Sequence, residues 1–312
     1  MPSGAQCSRK MKVVTICGPT CVGKTGVTIV LAQRLNAEIV SADSMQVYKG
    51  MDIGTAKPTA DQRSLVAHHM IDIAGPTDTY STGRYVCDAA LIMEDIIARG
   101  KRPIVSGGTG LYIRAMSKGL FSAPSADWEL RNNLMTAEAQ TPGFLYNYLG
   151  SIDPKSAEKI NPNDHRRVIR AIEVCLKCGT PMSKLQMEMT RPLPYEFIKI
   201  CLTRQRDELY AMINERVDMM LASGLLEEAE SLFRLPLANT HMQAIGYKEL
   251  FAHFRGETGL AEAVVKIKQA TRRYAKRQIC WFKSEPDIFC LDITGISDEN
   301  EILRKIIPHL PI

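Results

Sequence analysis

The sequence predicts an α/β protein: a P-loop-type doubly wound parallel sheet carrying a helical insertion domain. Three observations predict it. Short β-branched runs alternate with helical patterns, a glycine-rich phosphate-loop motif follows the first run, and the alternation stops after Met116 for about eighty residues.

The runs are MKVVTIC (11–17), AEIVSA (37–42), HMIDI (69–73), PIVSG (103–107), FIKICLT (197–203) and DIFCLDI (287–293). They are apolar without strict alternation, the pattern of strands covered on both faces. Helical patterns at 24–35 and 84–99 separate them, so strand, helix and strand repeat with right-handed crossovers. Between 118 and 195 the patterns are helical (128–138, 143–149, 154–160 and 164–177) with no convincing strand. The expected organisation is therefore a core in two parts, 1–117 and 196–312, interrupted by a helical insertion at 118–195. Pro192 and Pro194 punctuate the return to the sheet. From 206 to 281 the pattern is again helical, with breaks at Gly224, Pro236, Gly246 and Gly256.

A chain of 312 residues that is 45% hydrophobic and 23% charged is not disordered, collagenous or a disulfide scaffold. No apolar run approaches the roughly 18 residues of a membrane helix. The apolar stretch near the N-terminus is too short for a signal-peptide core, so a cytoplasmic protein without a membrane partner is expected. The nine cysteines are scattered and odd in number, which fits reduced thiols. Cys175 and Cys178 form a C-x-x-C with no second pair, inside a helical pattern, and read as buried thiols and not as a zinc or redox site.

A net charge of +5 says little by itself; the placement of the charge says more. Between 263 and 283 stand Lys266, Lys268, Arg272, Arg273, Lys276, Arg277 and Lys283 with no acid among them. Tyr274, Trp281 and Phe282 interleave with these cations, the composition of a surface that neutralises phosphates and stacks unpaired bases. The structural alternative is a solvated face with its aromatics turned into the core, which is favoured for the aromatics. Arg166, Arg167 and Arg170 form a second cluster.

Directly after the first run comes Gly18-Pro19-Thr20-Cys21-Val22-Gly23-Lys24-Thr25, a full G-x-x-x-x-G-K-[ST] match opening into a helix. Its backbone N–H groups wrap a phosphate or diphosphate, Lys24 adds a charge, and the Thr25 hydroxyl is placed for Mg²⁺. In a parallel sheet ligands lie outside the carboxyl ends of the strands, so Ser41-Ala42-Asp43-Ser44 and Gly107-Gly108-Thr109-Gly110 fall near the same site. A carboxylate at Asp43 could take a proton or hold a metal; the structural alternative is a turn or cap aspartate. NTP hydrolysis usually employs an acid at a strand end, yet PIVS runs into Gly-Gly-Thr, leaving Asp72 as a possible substitute. These residues leave a nucleotide kinase or NTPase and a non-catalytic RNA-binding protein as alternatives.

Taken together, GPTCVGKT (18–25), SADSMQVYKGMDIGTAKP (41–58), GGTGLYI (107–113), NDHRRVIRAIEV (163–174), QAIGYKEL (243–250) and TRRYAKRQICWFK (271–283) resemble one family, the tRNA dimethylallyltransferases, in that family's order. The chain stops near Ile312 without a Cys/His zinc-finger extension, so it is similar to the compact bacterial form, and no structural metal is expected. The resemblance implies transfer of a dimethylallyl group from dimethylallyl diphosphate to N6 of the adenine 3′ of the anticodon, in tRNAs reading codons that begin with U. Asp43 would then be the general base and Thr109 its partner at the reacting centre. The loop from Gly18 to Thr25, with Mg²⁺, would receive the diphosphate. The anticodon stem-loop would meet Asp43, Ser44, Met45, Gln46, Thr109, Arg131, Arg166, Arg167, Arg170, Gln243, Lys248, Lys276, Arg277 and Lys283. Arg166 stands where many bacterial members have glutamine, and Gln243 and Lys248 where they have arginine. A monomer is expected.

Overall fold

The computed structural model describes residues 10–121, 123–237 and 239–310. The first half of the chain runs β1 (Met11–Cys17), α1 (Lys24–Leu35), β2 (Ala37–Ser41), α2 (Ala60–Leu65), β3 (His68–His69), α3 (Thr82–Ala98), β4 (Arg102–Gly107) and α4 (Gly110–Lys118). Five helices follow: α5 (Trp128–Gln140), α6 (Phe144–Ile152), α7 (Pro154–Ala157), α8 (His165–Cys178) and α9 (Met182–Met189). The chain then continues through β5 (Tyr195–Thr203), α10 (Arg206–Ala222), α11 (Leu225–Phe233), α12 (Asn239–Met242), α13 (Tyr247–Phe254), α14 (Leu260–Ser284), β6 (Ile288–Asp292) and α15 (Glu299–Ile306).

The six strands form one sheet in the order β3-β2-β4-β1-β5-β6, and every neighbouring pair is parallel. The sheet grows outward on both sides of β1, which is the doubly wound plan, and the loops after β1, β2 and β4 are thereby brought to one edge. Val13, Ile16 and Val40 are wholly buried, as strands covered on both faces require. One cluster, including Ile16, Leu31, Ile200, Leu209 and Ile302, packs α1, α10 and α15 against the sheet. A second, including Met51, Val217, Leu225, Tyr247 and Ile267, joins α10, α11, α13 and α14 to the chain after β2.

The chain divides into two compact units, one made of 1–117 with 194–312 and the other of 118–193. The second unit is helical, with a separate core built from Leu145, Leu149, Val168, Ile172 and their neighbours. At its centre Glu173 is fully buried and receives Arg131 Nε at 3.0 Å, Arg131 Nη2 at 2.8 Å and the Asp127 amide at 2.6 Å. Arg170 also pairs with Glu173, and its Nη2 donates to Pro124 O at 2.7 Å. Burial would raise the Glu173 carboxyl, but Arg131, the Asp127 amide and Arg170 outweigh it and hold its pKa low.

The HMIDI run departs from expectation. Only His68–His69 extends as strand, because Met70 and Asp72 turn the backbone through positive φ (63° and 59°). Residues 72–74 instead bond to the loop after β2, with Ile73 N donating to Val47 O at 2.8 Å. Asp72 receives Lys57 at 2.5 Å and Arg63 at 2.9 Å and is outside the lining of the phosphate-loop cavity, so it does not replace the missing strand-end acid. The thiols also differ in part: Cys175 is buried and Cys178 exposed.

At the amino end of β2, Glu38 is buried yet ionised. It accepts both Arg99 guanidinium nitrogens (2.6 and 2.7 Å), Lys101 at 2.8 Å and His69 at 2.7 Å, and the Arg99 hydrogen bonds lead in holding its pKa far below the ordinary range. Because the folded-state pKa is depressed, this stabilisation is present above the unfolded carboxyl's pKa and is lost as pH falls. Glu38→Ala should cost about 2 kcal/mol at pH 7. In urea unfolding, the gap between variant and wild type should close as pH drops below about 4.

Candidate functional site

The phosphate loop begins where β1 ends. Gly18 sits at φ 143°, and a Cβ there would lie 2.5 Å from Leu202 O; Gly23 caps α1 at φ 104°. Neither conformation suits a side chain, so the motif's two glycines are demanded by the turn itself. Lys24 folds over the loop and donates to Gly18 O at 3.0 Å and Pro19 O at 2.7 Å. Withdrawal from water pulls its pKa down to about 8, with Arg216 adding to the fall and Asp43 opposing it.

Side chains from distant elements brace this loop. Gln278 of α14 accepts from Thr20 N at 2.8 Å and donates to Gly108 O at 2.9 Å, tying the loop after β1 to the loop after β4. Arg216 of α10 donates to Thr20 Oγ1 at 2.7 Å. Arg204 donates to Val22 O at 3.1 Å and, on its other side, to Ile293 O at 3.0 Å and Ile296 O at 2.6 Å. Glycine is needed after β4 as well: a Cβ on Gly107 would fall 2.2 Å from Ala42 O, and one on Gly108 2.3 Å from Gln278 Nε2.

Asp43 lies at the carboxyl end of β2. Its Oδ1 accepts from Met45 N at 2.9 Å and Gln46 N at 3.3 Å, which is the turn role anticipated as the structural alternative. No described residue bonds Oδ2, and the carboxylate lines the cavity, so the turn fixes an acid that still faces outward. Thr109 sits beside it, accepting from Ser44 N at 2.9 Å while its own amide donates to Ala42 O at 3.0 Å. Gln46 turns away to donate to Thr55 O and Ala56 O, each at 3.2 Å.

Two cavities open here. The inner one, of about 370 Å³, is lined by the loop from Thr20 to Thr25, by Asp43 and by Met212, Arg216 and Met219. The outer one, of about 310 Å³, is lined by Asp43, Ser44, Met45, Met220, Gln243 and Arg277 among others. Both lie within the unit that holds the sheet, and Thr20, Asp43, Thr55, Arg216 and Tyr274 line both. Burial, with Asp43 next, drives the Tyr274 hydroxyl pKa well up, so this shared wall presents a neutral phenol.

Lys248, Lys276 and Lys283 are exposed but line neither cavity. On α14, Ala275, Gln278 and Phe282 face inward while Arg273, Lys276, Arg277 and Lys283 are exposed. Trp281 packs on Gly110, where a Cβ would meet it at 2.2 Å, and carries Arg114 over its ring at 4.1 Å. Of the second unit's arginines, Arg166 and Arg167 are exposed, whereas Arg131 and Arg170 grip Glu173. Arg204, Arg216, Tyr274 and Gln278 were not singled out from sequence as site residues. Thr271, Tyr274 and Gln278 do recur at helical spacing within the basic run, a detectable signal; Arg216 lies in a long helical stretch with no motif around it.

A phosphate loop facing a fixed carboxylate across a small cavity defines a P-loop protein of the kind that holds a phosphorylated small molecule for reaction. Comparison with known proteins narrows the class. Residues 46–285 match the family described as IPP transferase, and 11–74 that described as isopentenyl transferase. The chain is 51% identical over 304 residues to the tRNA dimethylallyltransferase of Thermodesulfovibrio yellowstonii, covering 95% of this chain and 96% of that one. It is also similar to the crystal structure of a tRNA isopentenylpyrophosphate transferase from Staphylococcus epidermidis (38% identity, TM-score 0.69, covering 96% and 98% of the two chains). A eukaryotic dimethylallyltransferase captured acting on tRNA superposes with TM-score 0.80 at 32% identity, covering 97% of this chain and 81% of the other. The chain belongs to the IPP transferase family.

Gln278→Leu removes the brace while keeping the side chain's bulk. Affinity for inorganic diphosphate, measured by calorimetry, should fall about tenfold. The far-ultraviolet circular dichroism should not change.

Proposed function

We propose that this chain transfers a dimethylallyl group from dimethylallyl diphosphate to N6 of the adenine 3′ of the anticodon, in tRNAs reading codons that begin with U. The observation that carries the reading is the junction of the two cavities at Asp43. The inner cavity would hold the isoprenoid diphosphate, with its phosphates on the loop and its hydrocarbon against Met212 and Met219; the outer would admit the adenine.

The bond from the isoprenoid's C1 to the diphosphate oxygen breaks, N6 bonds to C1, and the N6 proton passes to Asp43. An aromatic amine is a poor nucleophile that acidifies only as the new bond forms, so a carboxylate held at the amine is the fitting acceptor. Thr109, bonded to Ser44 N, keeps the Asp43 turn in place. Lys24, Arg216 and the loop amides would stabilise the charge growing on the departing diphosphate. The adenine must leave its stack to reach the outer cavity.

Among the described residues no group of three or more His, Cys, Asp or Glu side chains could hold a metal ion. Mg²⁺ is commonly bound by one or two oxygen side chains with substrate phosphates and waters completing the shell, and the Thr25 hydroxyl fits that pattern. Bound there, the ion would neutralise diphosphate charge.

Arg166, Arg167, Lys276, Arg277 and Lys283 are exposed cations suited to the RNA backbone, and Gln243 and Arg277 line the outer cavity. Arg131 and Arg170 would act on RNA mainly by shaping the surface around Glu173. A cytoplasmic location is supported by free thiols at all the described cysteines; among the described residues no helix is long and apolar enough to cross a membrane.

Incubation with Mg²⁺, unmodified tRNA and radiolabelled dimethylallyl diphosphate, with ATP in a parallel tube, tests the reading: label should appear on the adenine beside the anticodon. ATP turnover without labelled RNA would favour phosphoryl transfer instead. Asp43→Ala should lower kcat by about 10²–10⁴-fold with little change in tRNA affinity. Replacing Lys276 and Arg277 together by Ala should weaken tRNA binding and lower the slope of log affinity against log salt by about 1 to 2.

A further inference from the structure

The loop that separates the two cavities is held from behind by a carboxylate outside the reaction scheme. Glu228 of α11 gathers three consecutive backbone amides: Asp52 N at 2.9 Å and Ile53 N at 2.8 Å on Oε2, and Gly54 N at 3.0 Å on Oε1. A fourth donor is the hydroxyl of Tyr247, 2.6 Å from Oε1. Tyr247 is fully buried and presses on the same loop, since a Cβ on Gly54 would lie 2.6 Å from its hydroxyl.

The loop so held is a dividing wall. Gly54 lines the outer cavity, Ala56 and Pro58 line the inner one, and Thr55 lines both. Tyr247 also lines the outer cavity, at the end of the segment 243–247 that forms one side of it. Glu228 is half-buried, and a carboxylate bonded to several consecutive backbone amides fixes a loop's conformation because one group holds all of their donors at once.

We propose that Glu228 and Tyr247 are positioning residues of the transferase reaction: they link the RNA-side segment 243–247 to the wall of the isoprenoid cavity, so that filling the outer cavity tightens diphosphate binding in the inner one. The inference rests on the assignment of the two cavities made above. The link is reciprocal, so the diphosphate strengthens RNA binding by the same factor.

The test uses the full chain as wild type, Glu228→Gln and Tyr247→Phe, each first shown by thermal unfolding to be folded at the assay temperature. Inorganic diphosphate with Mg²⁺ is titrated by calorimetry with and without an unmodified anticodon stem-loop. In the wild type the RNA should raise diphosphate affinity about fivefold or more. In both variants that gain should disappear. Steady-state assays should show Glu228→Gln raising KM for dimethylallyl diphosphate about fivefold or more, while affinity for the stem-loop measured without diphosphate stays within about twofold of wild type. A wild type with no RNA-dependent gain, or variants that keep it, would overturn the proposal, as would a loss of activity matched by the loss of folded protein. Transfer by the wild type checks the cavity assignment separately, because its absence removes the proposed function whatever the titrations read.

Discussion

The site depends on one buried amide. A phosphate loop rich in glycine has little to hold its backbone in the shape that points N–H groups inward, and in this fold the bond to its backbone N–H at Thr20 comes from Gln278, more than two hundred and fifty residues further along the chain, with Arg204 and Arg216 bracing it beside. The two ends of the Gln278 amide bond to Thr20 N and Gly108 O, so the loop after β1 and the loop after β4 cannot separate without breaking one of these bonds. Gly108 must lack a side chain for the amide to reach it. The strand-end position that carries a metal-binding acid in many nucleotide hydrolases thus serves here as a close backbone contact.

The carboxylates are divided by their surroundings into structural and chemical groups. Glu38, Glu173 and Asp72 are locked in hydrogen-bonded ion pairs that hold their pKa values low. Asp43 also makes a local turn, but only through one oxygen, and what surrounds the other is cavity. A turn aspartate and a general base are therefore compatible descriptions of one residue. The turn supplies the orientation that proton transfer needs.

The phosphate loop and five of the six strands were legible because each is a local pattern: β-branched runs of the right length, and a motif whose glycines answer to backbone geometry at φ 143° and 104°. HMIDI was misleading because its apolar residues pack in a turn bonded to the loop after β2, and nothing in their spacing distinguishes that from a strand. Asp43 and Thr109 were placed by topology, as residues following strands. Arg204, Arg216 and Gln278 escaped because their significance lies in what they reach across the fold. Long-range hydrogen bonds leave no periodicity, and a helix that carries one polar braced residue reads like any other amphipathic helix.

The ion-pair core of the second unit bears on how its surface meets a polyanion. A count of basic residues would credit the insertion with four arginines near α8, each able to release a bound counterion from RNA. Two of them, Arg131 and Arg170, share the single negative charge of the fully buried Glu173, so the three groups together carry one net positive charge. Ions condensed on a nucleic acid respond to net field, and with Glu173 these two guanidinium groups present one charge in place of two. Any long-range attraction of this unit for a polyanion is consequently weaker, by one charge, than a count of its arginines suggests.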